Sequence, residues 1–156
     1  ESVAVAAASL ADAYRRTGRV ADALPLYAEC LRARLAAFGP DHPYTDVARS
    51  DQALGLLAAG RPADALPLLQ GCLERCREQH GPAHPDTLAM LTQVGYCLIG
   101  LGRFADALPL IEECAAGRRA ALGPVHPDTL SALNNLGVVY QRVGRPADAL
   151  PLVEEC

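Results

Sequence analysis

Three potential zinc ligands occur close together in the chain, at Cys72, Cys76 and His80. Residues four apart lie on the same face of a helix, so this spacing would bring two thiols and an imidazole together. A closed zinc site needs four ligands, and the sequence offers no evident fourth. We therefore interpret the three residues as parts of a packed helix and predict no metal site and no cofactor.

Three further histidines could in principle act as general bases, at His42, His84 and His126. Each lies between a Gly-Pro pair and another proline, in a different segment of the chain, so the three cannot converge on one substrate. No nucleophile is placed beside them, and no phosphate-binding loop of the GxxxxGK[ST] kind is present. We predict that these histidines cap or pack linkers, that no residue is catalytic, and that the chain is not an enzyme.

The remaining cysteines allow two interpretations. Cys30, Cys72, Cys114 and Cys156 are spaced 42 residues apart, which would suit either a ladder of disulfides or a small apolar filler used repeatedly. Packed helices lie about 8–10 Å apart, which exceeds the ~7 Å between Cα atoms that a disulfide tolerates. We therefore predict free cysteines that fill space, and a reducing, cytoplasmic setting.

An internal repeat organises all of these residues. The string ADALPL begins at Ala21, Ala63, Ala105 and Ala147, always 42 residues after the previous copy. A fixed period of this length is the signature of a solenoid, in which each unit buries its apolar face against the next. We predict one solenoid domain over 1–156, with repeats at about 1–42, 43–84 and 85–126 and an incomplete repeat at 127–156.

Each repeat is predicted to form two helices. In the fourth repeat, apolar or small residues recur every three or four positions, at Leu130, Leu133, Leu136, Gly137, Tyr140 and Val143. Pro127 suits the first position of this helix, and Gly144 suits its end. The second helix of the first repeat should bury Ala23, Leu24, Tyr27, Cys30, Leu31, Leu35 and Phe38.

Small residues also occupy one aligned position in the first helix of every repeat, at Ala11, Ala53, Gly95 and Gly137. We predict that two helices nearly touch there, so that a larger side chain would overpack. The second repeat departs from the apolar pattern, because Asp46, Arg49 and Gln52 replace Leu or Val. These residues indicate either a marginal helix or a polar patch shaped by a partner, and Asp46 and Arg49 are spaced to form an ion pair.

Composition excludes several classes of function. The net charge is −4, which disfavours binding to nucleic acid or to an anionic membrane surface. No apolar run approaches the ~20 residues of a membrane span. The chain begins at Glu1 rather than Met, and we expect it to be part of a longer protein whose exposed solenoid ends could also pair two copies into a homo-oligomer.

The repeat resembles a known family. The unit L-x-x-L-x-x-L-G-x-x-Y, followed by G-R and A-D-A-L, is similar to the tetratricopeptide repeat. The period of 42 residues and the linker G-P-x-H-P-D-T resemble the kinesin-light-chain subtype, and the segment LNNLGVVY at 133–140 is the closest match. The resemblance implies an all-α, right-handed superhelix whose first helices line a concave groove.

The same resemblance implies a protein–protein interaction scaffold that binds an extended peptide or a short helix of a partner in the groove. Asn and Gln can pair with both backbone groups of a peptide, and Arg can grip carboxylates. Self-assembly and a sensor array within a larger signalling or motor protein are the alternatives. By position, the groove would present Asp12, Arg15, Arg16, Ser50, Asp51, Thr92, Gln93, Tyr96, Asn134, Asn135, Gln141 and Arg142.

Overall fold

The fold is seen in a computed structural model, which describes the backbone of residues 2–149 and the side chains of residues 5–149. Within that range the chain forms seven α-helices and a short 3-10 turn at Pro146–Ala149, and it contains no strand. The all-α prediction is therefore confirmed. The helices are α1 Ser2–Arg16, α2 Val20–Phe38, α3 Pro43–Ala58, α4 Pro62–His80, α5 Pro85–Gly100, α6 Phe104–Leu122 and α7 Pro127–Arg142.

The linker histidines begin the first helices, as predicted. In His42, His84 and His126 the Nδ1 atom accepts a hydrogen bond of 3.2 Å from the backbone N–H two residues further on. This bond satisfies one of the N–H groups that the first turn of a helix leaves unpaired. A proline follows each histidine and takes the first helical position, where its missing N–H costs nothing.

Buried threonines hold the linkers against the ends of the preceding helices, a feature that the sequence analysis missed. Thr45 and Thr87 are fully buried. Their hydroxyls donate to the carbonyl oxygens of Gly39 and Gly81, at 2.8 and 2.7 Å. These bonds occupy carbonyls at the turn, so the Gly-Pro-x-His-Pro segment is fixed at both ends. The glycine of the short linker between the two helices of a repeat also behaves as predicted. Gly144 follows α7 and adopts a left-handed backbone conformation, with φ 77°.

The chain divides into two compact units, Glu1–Cys72 and Leu73–Cys156. In the first unit α2 packs against α1 and α3, and the buried residues Ala11, Ala23 and Tyr27 form a core cluster. In the second unit α6 packs against α5 and α7. The largest side chains buried there include Leu91, Val94, Ile111 and Val139. That the whole sequence forms one domain stays a prediction.

The predicted close approach of helices occurs at Gly95. A Cβ atom there would overlap Cδ1 of Ile111 on α6 and would lie 3.1 Å from its Cγ1. Ala11 and Ala53, at the same position of earlier repeats, are fully buried. At Gly137 no described atom lies within 4 Å of such a Cβ, so the predicted restriction is not found there among the described residues. The aligned neighbour, Val153, lies outside them.

The predicted apolar stripe of α2 is correct at its centre and wrong at its end. Ala23, Tyr27 and Cys30 are buried, whereas Leu35 and Phe38 are 36% and 37% exposed. The physical reason is length: α2 has 19 residues, and the helices on either side of it have 15 and 16, so its last turn extends beyond them. The Phe38 ring instead stacks on His42, with 4.6 Å between ring centres.

Two other expectations need correction. In the stripe predicted for α7, Leu136 and Tyr140 are buried as expected, but Leu130 is 39% exposed, and Thr129, Ala132 and Val139 are buried as well. The stripe is therefore displaced around the helix by about one residue. The alignment of Cys76 with Arg34 and Arg118 predicts an exposed side chain, but Cys76 is half-buried.

Two of the three residues in the polar stripe of α3 are paired within the first unit. Asp46 and Arg49 form the predicted ion pair, at 2.8 Å, with both side chains largely buried. Arg49 also donates to the carbonyl oxygen of Pro40, at 2.7 Å. The helix is complete from Pro43 to Ala58, because Asp46 and Arg49 pair with each other while Thr45, Ala48 and Leu56 remain buried. In the described part of the chain, no helix combines the length and the apolarity needed to cross a membrane.

Candidate functional site

The polar faces of two first helices meet in the second unit. Tyr96 on α5 is 48% exposed, and its hydroxyl accepts a hydrogen bond of 2.8 Å from Nδ2 of Asn135 on α7. These two residues are 39 positions apart in the chain, and both belong to the set predicted for the groove. Asn134 lies beside them and is exposed. We call the surface formed by Thr92, Gln93, Tyr96, Asn134, Asn135 and Val138 the first-helix face.

Gln93 contributes an unsatisfied acceptor to this face. The residue is half-buried, and its Oε1 atom is inaccessible to solvent without a hydrogen-bond partner among the described residues. Leaving a buried polar atom unpaired costs about 1–3 kcal/mol. The Oε1 atom is out of reach of a guest in this conformation, so Gln93 could accept a hydrogen bond from a bound molecule only if its side chain turned towards the surface.

Arg118 on α6 organises the same region and was missed in the sequence. Its Nη2 donates to Oγ1 of Thr92 at 3.1 Å, and its Nη1 donates to the carbonyl oxygen of Asp128 at 3.1 Å. The predicted groove residue Thr92 is therefore already engaged inside the unit. The aligned Arg34 makes the matching bond to the carbonyl oxygen of Tyr44, at 2.7 Å, so the 42-residue alignment contained the signal.

The C-terminal end of α7 places two more predicted residues at the surface. Gln141 and Arg142 are exposed. The guanidinium carbon of Arg142 lies 5.7 Å from the centre of the Phe104 ring, a distance at which a cation is attracted to an aromatic face. Gln141 and Arg142 thus remain accessible, in contrast to Thr92.

In the first unit, the predicted residues Asp12 and Arg15 form an internal network. Arg15 donates to Oδ1 of Asp12 at 2.7 Å, and the Tyr27 hydroxyl donates to the same oxygen at 3.1 Å. The hydrogen bond from Arg15 lowers the pKa of Asp12, against an opposing effect of burial. Arg16 lies 3.4 Å from the other carboxylate oxygen and is 75% exposed, so it alone of the three can readily reach a partner.

Asp51 on α3 has the opposite electrostatic environment. It is half-buried beside the half-buried Ser50, and no described residue donates a hydrogen bond to its carboxylate. Burial raises the pKa of Asp51, and the negative charge of Asp12 adds to the effect, while Arg34 and Arg15 oppose it. Ionising the Asp51 carboxyl in the folded state therefore costs more free energy than ionising a free aspartate side chain.

This contrast predicts opposite effects of two equivalent substitutions on stability. The raised pKa of Asp51 means that the folded state binds its proton more tightly, so ionisation destabilises the fold at neutral pH, and Asp51→Asn should raise Tm at pH 7. The lowered pKa of Asp12 means that ionisation stabilises the fold there, and Asp12→Asn should lower Tm. At about pH 3 the difference for Asp51→Asn should have largely disappeared, because that carboxyl is then mostly protonated in both states, whereas the difference for Asp12→Asn should only have begun to shrink, because the pKa of Asp12 is lower in the folded state. Thermal unfolding at the two pH values measures this, and shifts of the same sign at pH 7 would contradict it.

The cysteines show no sign of metal or disulfide chemistry in the described range. No disulfide joins any two of Cys30, Cys72, Cys76, Cys97 and Cys114, and Cys156 lies outside the described residues. No group of three or more His, Cys, Asp or Glu side chains is arranged around a metal-sized space among residues 5–149. Burial raises the pKa of the Cys30 and Cys97 thiols, which disfavours the reactive thiolate. Cys30, Cys72, Cys97 and Cys114 are buried and act as small fillers, as the sequence predicted.

Comparisons with solved structures agree with this architecture. The kinesin light chain nearly identical TPR-like repeats of Podosopora anserina superpose with a TM-score of 0.89 at 23% identity, over 96% of this chain and 71% of that chain. BtubC (BKLC) from P. vanneervenii superposes with a TM-score of 0.85 at 18% identity, over 97% and 61%. At these identities the likeness concerns the fold alone, and it confirms the predicted similarity to kinesin-light-chain-like repeats.

A third solved structure, a Rap protein complexed with Competence and Sporulation Factor, superposes with a TM-score of 0.71 at 17% identity, over 93% of this chain and 39% of that chain. No curated protein matches the sequence significantly. The model of the family described as Tetratricopeptide repeat matches residues 2–70, 46–120 and 86–156, and this family generally provides non-catalytic scaffolds for protein interaction. Because these matches together span nearly the whole sequence, the chain belongs to the tetratricopeptide repeat family.

Proposed function

We propose that this chain is a protein-binding module that holds an extended segment of a partner along the first-helix face of its second unit. The observation that carries this proposal is the exposed pair formed by Tyr96 and Asn135 across α5 and α7. The pair joins an aromatic ring to an amide on a surface that two successive repeats share. Neither residue is needed to fill the core, because Tyr96 is 48% exposed and Asn135 bonds near the surface.

The chemistry of this face matches a peptide backbone. Asn135 uses one N–H for Tyr96, and its carbonyl oxygen and second N–H remain available to a guest. Gln93 could add an acceptor if its side chain turned outward, since its buried Oε1 atom lacks a partner among the described residues. An extended segment carries unpaired N–H and C=O groups along its length. These groups could form hydrogen bonds with the donors and acceptors of the first-helix face.

Apolar contacts would supply much of the affinity. Tyr96 and Val138 occupy the same position of successive repeats, and both are exposed, at 48% and 43%. An aromatic ring and a branched aliphatic side chain, about one repeat apart, could each anchor an apolar side chain of the guest. Arg142, exposed at the end of α7, could add a bidentate contact to a carboxylate.

The first unit supports the same mode of binding with different groups. Ser50 and Asp51 on α3 align with Thr92 and Gln93, and Arg16 at the end of α1 aligns with Arg142. A repeat array of this fold can hold another molecule, since the Rap protein was solved in complex with the Competence and Sporulation Factor. We expect the partner of this chain to be a protein or peptide.

Site-specific photocrosslinking tests where a guest binds. Peptides that bind the wild-type protein are first selected from a displayed random library. A benzophenone amino acid is then placed either at Tyr96 or at Ala116, an exposed residue of α6 in the same unit. The selected peptides are expected to crosslink at position 96 and not at position 116. Preferential crosslinking at position 116 would refute binding on the first-helix face.

A further inference from the structure

A cavity of about 430 Å³ opens in the first unit. It lies between α2, α3 and the start of α4. Its size falls within the range of about 300–1,000 Å³ that is typical of ligand pockets. The residues that surround it are mainly apolar and include Leu24, Ala28, Gln52, Leu56, Pro67 and Leu68.

The sequence of the repeats explains why the cavity is open here. Ala28 and Leu56 align with Glu112 and Tyr140 of the second unit. There the Tyr140 hydroxyl donates to Oε1 of Glu112 at 2.7 Å, and Tyr140 is buried. A methyl group and a leucine side chain cannot span the same space. The first unit therefore has two smaller residues beside the cavity, at positions that a bonded Tyr–Glu pair occupies in the second unit.

Gln52 adds an unexpected polar group to this cavity. The aligned residues are Leu10, Val94 and Leu136, and the last two are buried in the core. Gln52 is half-buried and lines the cavity, and none of the described residues forms a hydrogen bond with its side chain. A primary amide offers two donors and one acceptor, which is the complement of a peptide group. Leucine at this position would pack better, so the amide serves folding poorly.

The rim of the cavity is electrically neutral. Arg61 and Asp64 both line it, and they form an ion pair with each other at 2.7 Å. Since each charge is already matched, the rim offers no net attraction to an ionic guest. Apolar walls, one unpaired amide and a neutral rim together favour an uncharged aliphatic group attached to a peptide backbone.

We propose that this cavity binds one aliphatic side chain of a partner protein while Gln52 pairs with the main chain next to that side chain. The aliphatic group would lie against Leu24, Leu56 and Leu68. The Gln52 amide would accept from a backbone N–H and donate to a backbone C=O of the same segment. This second docking point is independent of the first-helix face, so either site could exist without the other.

The probe for this proposal is the capped tripeptide acetyl-alanyl-leucyl-alanine amide, titrated into the isotope-labelled full chain and followed by NMR. The side-chain amide signals of Gln52 are expected to shift with a saturable dependence on concentration. Replacing the central leucine by alanine should weaken binding about tenfold, because most of the buried aliphatic surface is lost. Replacing it by aspartate should abolish the shifts, because a charge would enter apolar surroundings.

Two variants change the cavity in different ways, because one removes its amide and the other fills its space. Gln52→Leu restores the residue type of Leu10 and Leu136, and Ala28→Glu with Leu56→Tyr recreates the Tyr–Glu pair of the second unit. Both variants should remain folded and bind the leucine probe at least about tenfold more weakly, while Asn134→Ala with Asn135→Ala should bind it as the wild type does. Unchanged binding in both cavity variants, or probe-induced shifts confined to the first-helix face, would overturn the proposal.

Discussion

Replacing Gly95 by leucine is expected to lower the free energy of unfolding by about 3 kcal/mol, at the upper end of the usual cost of overpacking. Even a Cβ atom at this position would overlap Cδ1 of Ile111. The Ile111 side chain is only 2% exposed, so it has little room to move. The larger side chain would push α5 and α6 apart. Because the buried residues around this contact interlock, a local displacement would be transmitted through the unit.

Urea unfolding followed by circular dichroism measures this effect. The matched control is Ala89→Leu, which adds the same side chain at an exposed position of α5 and is expected to change the free energy of unfolding by no more than about 0.5 kcal/mol. Equal stabilities of the two variants would show that α5 and α6 do not approach closely at Gly95.

Helix identity and helix boundaries were readily predicted from the sequence, because local chemistry determines them. The 42-residue period made every proline, glycine and histidine of a linker comparable with its counterparts. His84 could be recognised as a cap without a structure, since it precedes a proline and an acidic residue at the start of an apolar stripe. Gly95 was also recognisable, because alanine replaces it in other repeats.

The limits of each buried stripe could not be predicted in the same way. Leu35 and Phe38 fit the helical period as well as Tyr27 does, but burial at the end of α2 depends on whether a neighbouring helix extends that far. Periodicity predicts which face of a helix is buried, but it does not indicate how far the neighbouring helix extends along that face. A residue can therefore satisfy the pattern and still lie in solvent.

The sequence predicted which helix face forms the candidate site, but not which side chains on that face are available to a partner. The period correctly placed Tyr96 and Asn134 on the exposed side of their helices. It could not indicate that Arg118 donates a hydrogen bond to Thr92, or that the Tyr27 hydroxyl donates one to Asp12. These partners come from second helices and lie 26 and 15 residues away in the chain, so only packing reveals them.

The double substitution Asn134→Ala with Asn135→Ala is expected to reduce the affinity for library-selected peptides by about 10- to 100-fold. It removes the amide beside Tyr96 together with the exposed amide of Asn134, and each lost hydrogen bond to a guest contributes about 0.5–1.5 kcal/mol. The loss of the bond from Asn135 also frees the Tyr96 ring to move. Stability should change little, because neither side chain is buried in the core.

Isothermal titration calorimetry of one selected peptide against three proteins tests the central claim most directly: the wild type, this double variant, and a control with Glu78→Ala and Gln79→Ala on the exposed surface of α4. If the first-helix face holds the guest, the control should bind like the wild type, and the double variant should bind at least about tenfold more weakly with an unchanged Tm. Wild-type affinity in the double variant, with weakened binding in the control, would contradict peptide recognition by the first helices.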